Sequence, residues 1–223
     1  MSKVLIGIPF GQSQSMIPHQ AWTALIVKAS ANPNYTACGE YATAASIGFN
    51  REYIAGRSLE KGCDWCLMVD TDMSYPDNLL DVLMSRDKDV IGVPYYSGVW
   101  SPTGTKIVPI LYNYNEKKDS WVRQKKVEQT ELFKVDGMGG GVMLIKTDVF
   151  KKLDKPWFLH GKHGDKTHIM GEDVYFCSKC SDAGIDIWQD PTFGDKVKHW
   201  HMYGYSKKDC SEGGSTQRLP IPT

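Results

Sequence analysis

GCDWCLMVDTDMSYP, residues 62–76, is the stretch that decides the fold. It contains an apolar run from Trp65 to Val69 without a helix breaker, and this run stops abruptly at Asp70 and Asp72. A short, continuous apolar run is typical of a parallel strand that is buried on both faces. Because function in open α/β sheets collects at the carboxyl ends of such strands, the two aspartates are the first candidate site residues.

The spacing of Asp70 and Asp72 predicts a pair of carboxylates on one side of the chain. Side chains alternate along an extended backbone, so Thr71 points away from the two acids that flank it. Two carboxylates supply half of a site for Mg²⁺ or Mn²⁺, whose remaining positions are filled by phosphate oxygens and water. The structural alternative is that Asp72 or Ser74 caps a helix that begins at Pro76.

The composition is that of an ordinary soluble globular protein, and it bounds the function. The chain has 223 residues, of which 41% are hydrophobic, and this length predicts one α/β domain. Its 26 basic and 26 acidic residues cancel, so there is no global field that favours nucleic acid. There is no apolar run long enough to span a bilayer and no signal-peptide core in MSKVLIGIPF, so we expect a cytoplasmic protein.

Two Cys-x-x-Cys pairs, Cys63/Cys66 and Cys177/Cys180, raise the possibility of a structural zinc site. The first pair lies beside the apolar strand and the second lies in a predicted helix, and neither has the glycine turn of a zinc knuckle. Burial as small apolar residues is the structural alternative, and the pattern favours it.

The order of elements predicts a doubly wound sheet followed by a second kind of structure. Residues 3–94 alternate between strand and helix patterns, which is typical of a nucleotide-binding half. From residue 97 onward the chain is rich in Val, Ile, Tyr and Trp, and residues 105–115 and 120–130 read as an antiparallel hairpin. We therefore expect one domain over residues 1–205, divided into halves at 3–96 and 97–205, and a flexible tail at 206–223.

Arg51 lies on the apolar face of a predicted helix, with Ile47, Ile54 and Ser58 at three- and four-residue spacing. An arginine in this position extends to the surface or pairs with a carboxylate; its functional alternative is to contact a phosphate group. Sequence reasoning leaves both interpretations open.

Three consecutive glycines, Gly139, Gly140 and Gly141, precede a predicted strand at Val142 to Ile145. A run of this kind lets the backbone approach a ligand closely, or it forms an unusual turn or bulge. It is not a Walker loop, because no Gly-Lys-Ser/Thr follows it.

Four separated pieces of the chain together resemble glycosyltransferases of the A-type (GT-A) fold, and most closely the family-two-like enzymes. They are a first strand that ends in proline, the strand that ends in DTD, the glycine-rich strand followed by GED on a helix, and a histidine near the end. The resemblance covers about residues 3–202. It implies a Rossmann-like α/β fold, with a mixed and mainly parallel central sheet, helices on both faces and a small antiparallel hairpin.

The resemblance also implies roles for individual residues. Asp70 and Asp72 would hold Mn²⁺ or Mg²⁺ at the diphosphate of a nucleotide sugar, for which a UDP-sugar is favoured. The histidine that completes the metal site in relatives falls on His199, with His201 as second choice. Asp173 would be the general base, and Glu172 its neighbour in binding the acceptor, which would be a glycan or another hydroxyl compound.

For the donor, the resemblance implies that the tip of the first strand holds the nucleoside and that the tip of the DTD strand lies at the diphosphate; the glycine run is a candidate for close approach of the backbone to the donor. The residues are Ile8, Pro9, Phe10, Arg51, Asp70, Thr71, Gly139 and Gly140. Where relatives commonly have Arg-Asn, this chain has Asn50-Arg51. The predicted activity is that of an inverting hexosyltransferase. The alternatives are a nucleotidyltransferase and a non-catalytic nucleotide-sugar-binding module of the same fold.

Overall fold

The predicted apolar strand forms at Trp65–Val69, and each of its residues is buried. It belongs to a computed structural model that describes residues 1–10, 19–44, 46–101, 104–164, 166, 168–200 and 204–205. His201 and the tail at 206–223 lie outside the described residues. The helices are α1 (His19–Ser30), α2 (Ile47–Glu60), α3 (Leu79–Ser85), α4 (Thr147–Lys152) and α5 (Glu172–Asp182), with 3-10 turns at Glu116–Lys118 and Pro191–Lys196.

The strands make up one large sheet and several small ones. In chain order they are β1 (Ser2–Pro9), β2 (Tyr35–Ala42), β3 (Trp65–Val69), β4 (Met73–Ser74), β5 (Val90–Gly92), β6 (Tyr96–Ser101), β7 (Gly104–Pro109), β8 (Leu111–Asn115), β9 (Ser120–Arg123), β10 (Phe133–Val135), β11 (Gly137–Met138), β12 (Val142–Lys146), β13 (Ile187–Gln189), β14 (Lys198–Trp200) and β15 (Gly204–Tyr205).

The large sheet has the order β10-β13-β5-β12-β3-β1-β2. Strand β1 is parallel to β2 and β3, and β5 is parallel to β13. Strand β12 runs antiparallel to both β3 and β5, which makes those five parallel strands point the same way, and β10 is antiparallel to β13. The sheet is therefore mixed and mainly parallel.

Both faces of the sheet are covered by helices, because neighbouring residues on each strand enter different hydrophobic cores. Val4 and Ile6 pack with Leu25 of α1 and Leu79 of α3. The residue between them, Leu5, enters the core on the other face, which also receives residues of α2, α4 and α5. This α/β arrangement, with a mixed and mainly parallel sheet between two layers of helices, is the one that the sequence predicts, and the prediction of the fold class is confirmed.

The predicted hairpin forms between β8 and β9, where Asn115 pairs with Ser120 across the turn at Glu116–Lys118. The sequence interpretation merged β7 and β8 into one strand, which is wrong. The extended strand is interrupted at Ile110, whose N–H donates to the carbonyl of Tyr95 at 2.9 Å. Strand β7 pairs with β6 instead, in a second hairpin that the pattern analysis missed.

The helix after the DTD stretch begins at Leu79, three residues later than a start at Pro76 would place it. Met73 and Ser74 form β4, which pairs with β14, so a turn has to follow before the helix can begin. The four cysteines of the two Cys-x-x-Cys pairs are at most 4% exposed and belong to one hydrophobic core. The structure therefore uses these thiols as apolar packing groups.

Three consecutive residues of α2, at positions 50–52, bond to segments of the chain outside this helix. Asn50 is 1% exposed, accepts a hydrogen bond from the N–H of Ala44 at 2.6 Å, and donates to the carbonyl of Phe10 at 2.8 Å. Glu52 accepts from the backbone N–H groups of residues 157 and 158 at 2.7 and 3.0 Å. Arg51, between them, reaches the carboxyl ends of the strands. No helix in the described part of the chain is long and apolar enough to cross a membrane.

We expect Asn50→Ala to lower the free energy of unfolding by about 1–3 kcal/mol, because it removes the buried amide that bonds the partly buried backbone groups of Phe10 and Ala44. Urea denaturation measures this loss. The matched control is Phe49→Ala, a neighbouring residue that is 64% exposed, which should shift stability by no more than about 0.5 kcal/mol. Equal losses in the two variants would contradict the role given to Asn50.

Candidate active site

An acidic cluster lies at the carboxyl end of β3. It consists of Asp70, Asp72, Glu172 and Asp173, and it is assembled from two distant parts of the chain. The first pair follows β3, and the second pair begins α5 immediately after Gly171. Acids are favoured in the first turn of a helix by its dipole, so α5 can present both groups at little cost.

Asp72 meets His199 across 127 positions of sequence. The Nε2 atom of His199 lies 3.2 Å from Oδ2 of Asp72, and the two side chains are 14% and 27% exposed. The antiparallel pairing of β4 with β14 brings them together, since His199 is opposite Met73 and the N–H of Trp200 donates to the carbonyl of Asp72 at 2.7 Å. The structure thus places the predicted histidine beside one of the predicted aspartates.

Asp70 is held by Arg51. The Nη2 atom of Arg51 lies 2.5 Å from Oδ1 of Asp70, and its Nη1 atom donates to Oε1 of Glu172. The Arg51 side chain is only 2% exposed. Burial alone would lower the pKa of Arg51, yet the nearby carboxylates of Asp70, Glu172 and Asp173 raise it. Of the two interpretations of Arg51 left open by the sequence, pairing with carboxylates is the one observed.

The carboxylates of Asp70 and Asp173 have unusual proton affinities. Burial raises the pKa of Asp70 to about 6, with Arg51 opposing the shift and Asp72 and Glu172 adding to it. Burial and the nearby Glu172 likewise raise the pKa of Asp173, although Arg51 and two backbone N–H groups oppose the shift. Perturbed acids that face a sheet edge are typical of functional sites, and ion-pair networks also produce them.

The glycine run allows two large side chains to lie against the backbone. A Cβ atom on Gly140 would come within 2.6 Å of the guanidinium of Arg51, and one on Gly141 would lie 2.8 Å from Cζ of Tyr95. A Cβ atom on Gly139 would overlap the hydroxyl of Tyr95. The space in this run is thus already taken by protein side chains, so these glycines are required by packing.

Tyr95 lies at the centre of the site, although the sequence analysis did not single it out. It is 5% exposed, and its hydroxyl accepts a hydrogen bond from the N–H of Gly141 at 3.0 Å. Its ring stands at 79° to the ring of His199, with 5.6 Å between the centroids. Tyr95 therefore supports the glycine run on one side and the histidine on the other. Tyr95 could have been predicted from its position shortly after β5, because functional residues collect beyond the carboxyl ends of such strands.

At the tip of β1, the groups that remain available to a ligand are mainly backbone atoms and the aromatic ring of Phe10. The side chain of Ile8 is fully buried in the core, Pro9 is also buried, and Phe10 is half-buried. The ring of Phe10 lies 6.5 Å from that of Trp22 and 5.8 Å from that of Tyr41, which is 48% exposed. These two aromatic neighbours also escaped the sequence analysis, because they come from different elements.

The donor atoms at the site suit a hard divalent cation, although the described residues do not form a complete metal cage. Within the part of the chain that the structure describes, no three His, Cys, Asp or Glu side chains are grouped to hold a metal. Asp72 and His199 are adjacent, and both are close enough to Asp70 for their charges to affect the pKa of that carboxyl. Carboxylate and imidazole ligands fit Mn²⁺ or Mg²⁺, which usually retain water or phosphate oxygens in the other positions.

The predicted residues thus fall into three groups. Asp72 lies with His199, and Asp70 lies with Arg51 and Glu172. Asp173 contacts the glycine run, since its Oδ2 accepts from the N–H of Gly140 at 3.3 Å. Thr71 is 6% exposed and lies with Asp72 in the turn that follows β3, where the alternation of side chains along a strand does not apply.

Comparison with known proteins shows similarity of fold. No protein-family model matches the chain, and no curated protein does so significantly. Among solved structures, A197 from STIV is similar over 99% of both chains, with 16% identity and a TM-score of 0.55. The nucleoside-diphosphate-sugar pyrophosphorylase from Vibrio cholerae RC9 is similar over 87% of this chain and 94% of its own, with 8% identity and a TM-score of 0.49.

A third similar structure is a mutant of Drosophila β-1,4-galactosyltransferase 7 in complex with manganese, UDP-Gal and xylobiose. It covers 90% of this chain and 71% of its own, with 14% identity and a TM-score of 0.39. The similarity to A197 establishes a shared fold, and the activity has to be inferred from the site residues.

We expect Gly140→Ala to displace Arg51 and to lower stability by about 1–3 kcal/mol, because the new methyl group overlaps a buried guanidinium that is held from two sides. Chemical denaturation measures the loss. Gly56→Ala is the matched control, since Gly56 lies in α2 with nothing within 4 Å of an added Cβ. That variant should be stabilised by up to about 1 kcal/mol. A stable Gly140→Ala protein would show that the close packing is not required.

Proposed function

We propose that this protein is a metal-dependent glycosyltransferase that moves a sugar from a nucleoside-diphosphate sugar, with a UDP-sugar favoured, to an acceptor hydroxyl. The observation that carries the proposal is the meeting of Asp72 and His199 beside Asp70 at the carboxyl edge of the sheet, with Glu172 and Asp173 nearby. A candidate cation site and a candidate base would thus lie together, as transfer from a diphosphate donor requires.

On the donor side, Asp72 and His199 would hold Mn²⁺ or Mg²⁺, with Asp70 as a further ligand. When bound, the cation supplies neutralisation of the negative charge that grows on the departing diphosphate. The tip of β1 would receive the nucleoside, with Phe10 as its aromatic wall. In this proposal residues 3–96 form the donor half, and the packing of Gly139 and Gly140 sets the position of Arg51 and Tyr95.

On the acceptor side, Asp173 would take the proton from the attacking hydroxyl. Its raised pKa makes it a better base near neutral pH than an ordinary aspartate. Hydrogen bonds from the N–H groups of Val174 and Gly140, at 2.7 and 3.3 Å, fix the orientation of its carboxylate. Attack in line with the departing diphosphate would invert the anomeric centre. Residues 97–205 would form the half that receives a glycan or another hydroxyl compound.

Two alternatives make different products from the same fold. A nucleotidyltransferase releases pyrophosphate from a nucleoside triphosphate, and a binding module releases nothing. Product analysis with nucleotide sugars and triphosphates separates them from the proposed enzyme, which releases a nucleoside diphosphate.

We expect Asp72→Ala to abolish the release of nucleoside diphosphate that Mn²⁺ or Mg²⁺ stimulates, because the substitution removes the partner of His199. The measurement is the rate of diphosphate release from UDP-sugars, with and without added cation. The matched control is Asp77→Ala, which removes a 58% exposed carboxylate that pairs with Lys28. The control should retain its rate, and unchanged cation-stimulated turnover in Asp72→Ala would refute the proposal.

We expect turnover to depend on pH through Asp173. Because its pKa is raised, the base begins to gain a proton at a pH above the usual value of about 3.9, and the rate falls as the pH is lowered through the raised pKa. Asp173→Asn should reduce kcat by about 10²–10⁴-fold and lose this acid limb, while it still binds donor. Equal pH profiles in the native protein and the variant would rule out Asp173 as the base.

A further inference from the structure

Arg51 joins the donor side and the acceptor side of the acidic cluster. One nitrogen of its guanidinium lies 2.5 Å from Asp70, and another bonds Glu172. The first acid ends a strand and the second begins a helix, 102 positions further along the chain. A planar guanidinium can hold two carboxylates in fixed directions at once.

Arg51 has little freedom to leave this position. Its side chain is 2% exposed, and the backbone of Gly140 lies so close that an added Cβ would be 2.6 Å from the guanidinium carbon. Because the site is buried, solvent and salt screen its charge much less than they screen a surface charge. Any cation that binds at Asp70 therefore experiences the positive charge of Arg51 at short range.

We propose that Arg51 is a positioning residue that competes with the divalent cation for Asp70 and thereby links cation binding to the hold on Glu172. The inference depends on the proposed function, because it takes Asp70 and Asp72 as the cation side of the site. When a cation engages Asp70, the guanidinium loses part of one partner and holds Glu172 more strongly. When the carboxylate of Glu172 is removed by substitution, Arg51 pairs more strongly with Asp70, and the affinity for the cation falls. Such coupling is reciprocal, as thermodynamic linkage requires.

The test is a titration of the protein with Mn²⁺ alone, followed by electron paramagnetic resonance of the free ion. This measures binding without any need for turnover. The proteins are the native chain, Arg51→Gln, Glu172→Gln and the double variant. We expect Arg51→Gln to bind Mn²⁺ about tenfold more tightly and Glu172→Gln about fivefold more weakly, which are ordinary coupling magnitudes. In the double variant the Glu172 substitution should have almost no effect, because its route through Arg51 is gone.

Two outcomes overturn the coupling while they leave the proposed function intact. One is an equal effect of Glu172→Gln with and without Arg51, which means that the carboxylate acts on the cation through space. The other is Mn²⁺ binding to Arg51→Gln that is unchanged or weaker. Failure of the native protein to bind Mn²⁺ is a different result, which overturns the proposed cation site itself and this inference with it.

A second comparison keeps the test decisive if Arg51→Gln does not fold. Asp173→Asn removes the same charge from the neighbouring position on α5, where the carboxylate bonds Gly140 and Val174. We expect Asp173→Asn to weaken Mn²⁺ binding by less than the about fivefold effect of Glu172→Gln, because Glu172 bonds the guanidinium directly, whereas Asp173 acts on Arg51 through its charge. Equal weakening in the two variants overturns the inference. Circular dichroism establishes that each variant is folded.

Discussion

The structure depends on how four carboxylates are held together in a partly buried site with one guanidinium among them. Asp70 and Glu172 are paired with Arg51, Asp72 faces His199, and Asp173 accepts hydrogen bonds from backbone N–H groups. Carboxylates that are buried close together cannot all carry charge without opposing cations or protons. Burial, and after it the neighbouring carboxylates, raise the pKa values of Asp70 and Asp173, while Arg51 opposes the shift.

The remaining excess of negative charge is what makes the site suited to a cation. The guanidinium of Arg51 carries one positive charge, which offsets one of the four carboxylates. A divalent ion at Asp72 and His199 would supply the missing positive charge at the edge where a diphosphate is expected. Under the proposed function, the same features that make the site costly to fold would make it useful for chemistry at a phosphate group.

Much of this arrangement was predictable from local patterns. The apolar run from Trp65 to Val69 predicted β3, and its end at Asp70 predicted that the aspartates follow the carboxyl end of this strand. Glycine before Glu172 predicted the start of α5. These predictions succeeded because burial on both faces and helix-terminal acids leave strong signals in a short stretch of sequence.

What the sequence could not provide were contacts between distant elements. Arg51 pairs with Asp70 and Glu172 because α2 packs against the sheet. The sequence alone does not show which carboxylates are the partners of this arginine. The glycine run gave two open interpretations, and only the positions of Arg51 and Tyr95 show why no side chain fits there. The late start of α3 follows from the pairing of β4 with β14, a long-range contact that no local pattern records.

Pairing between β4 and β14 also explains how a histidine near the end of the described chain reaches the first acidic pair. The ladder fixes His199 opposite Met73, next to Asp72, and Trp200 strengthens it with a hydrogen bond from its indole to Ser74 at 2.8 Å. The most direct test of the central claim is anomalous diffraction at the manganese edge from crystals soaked with Mn²⁺ and UDP. We expect a peak between Asp72 and His199, within coordination distance of both. A peak elsewhere, or none at those side chains, would contradict it.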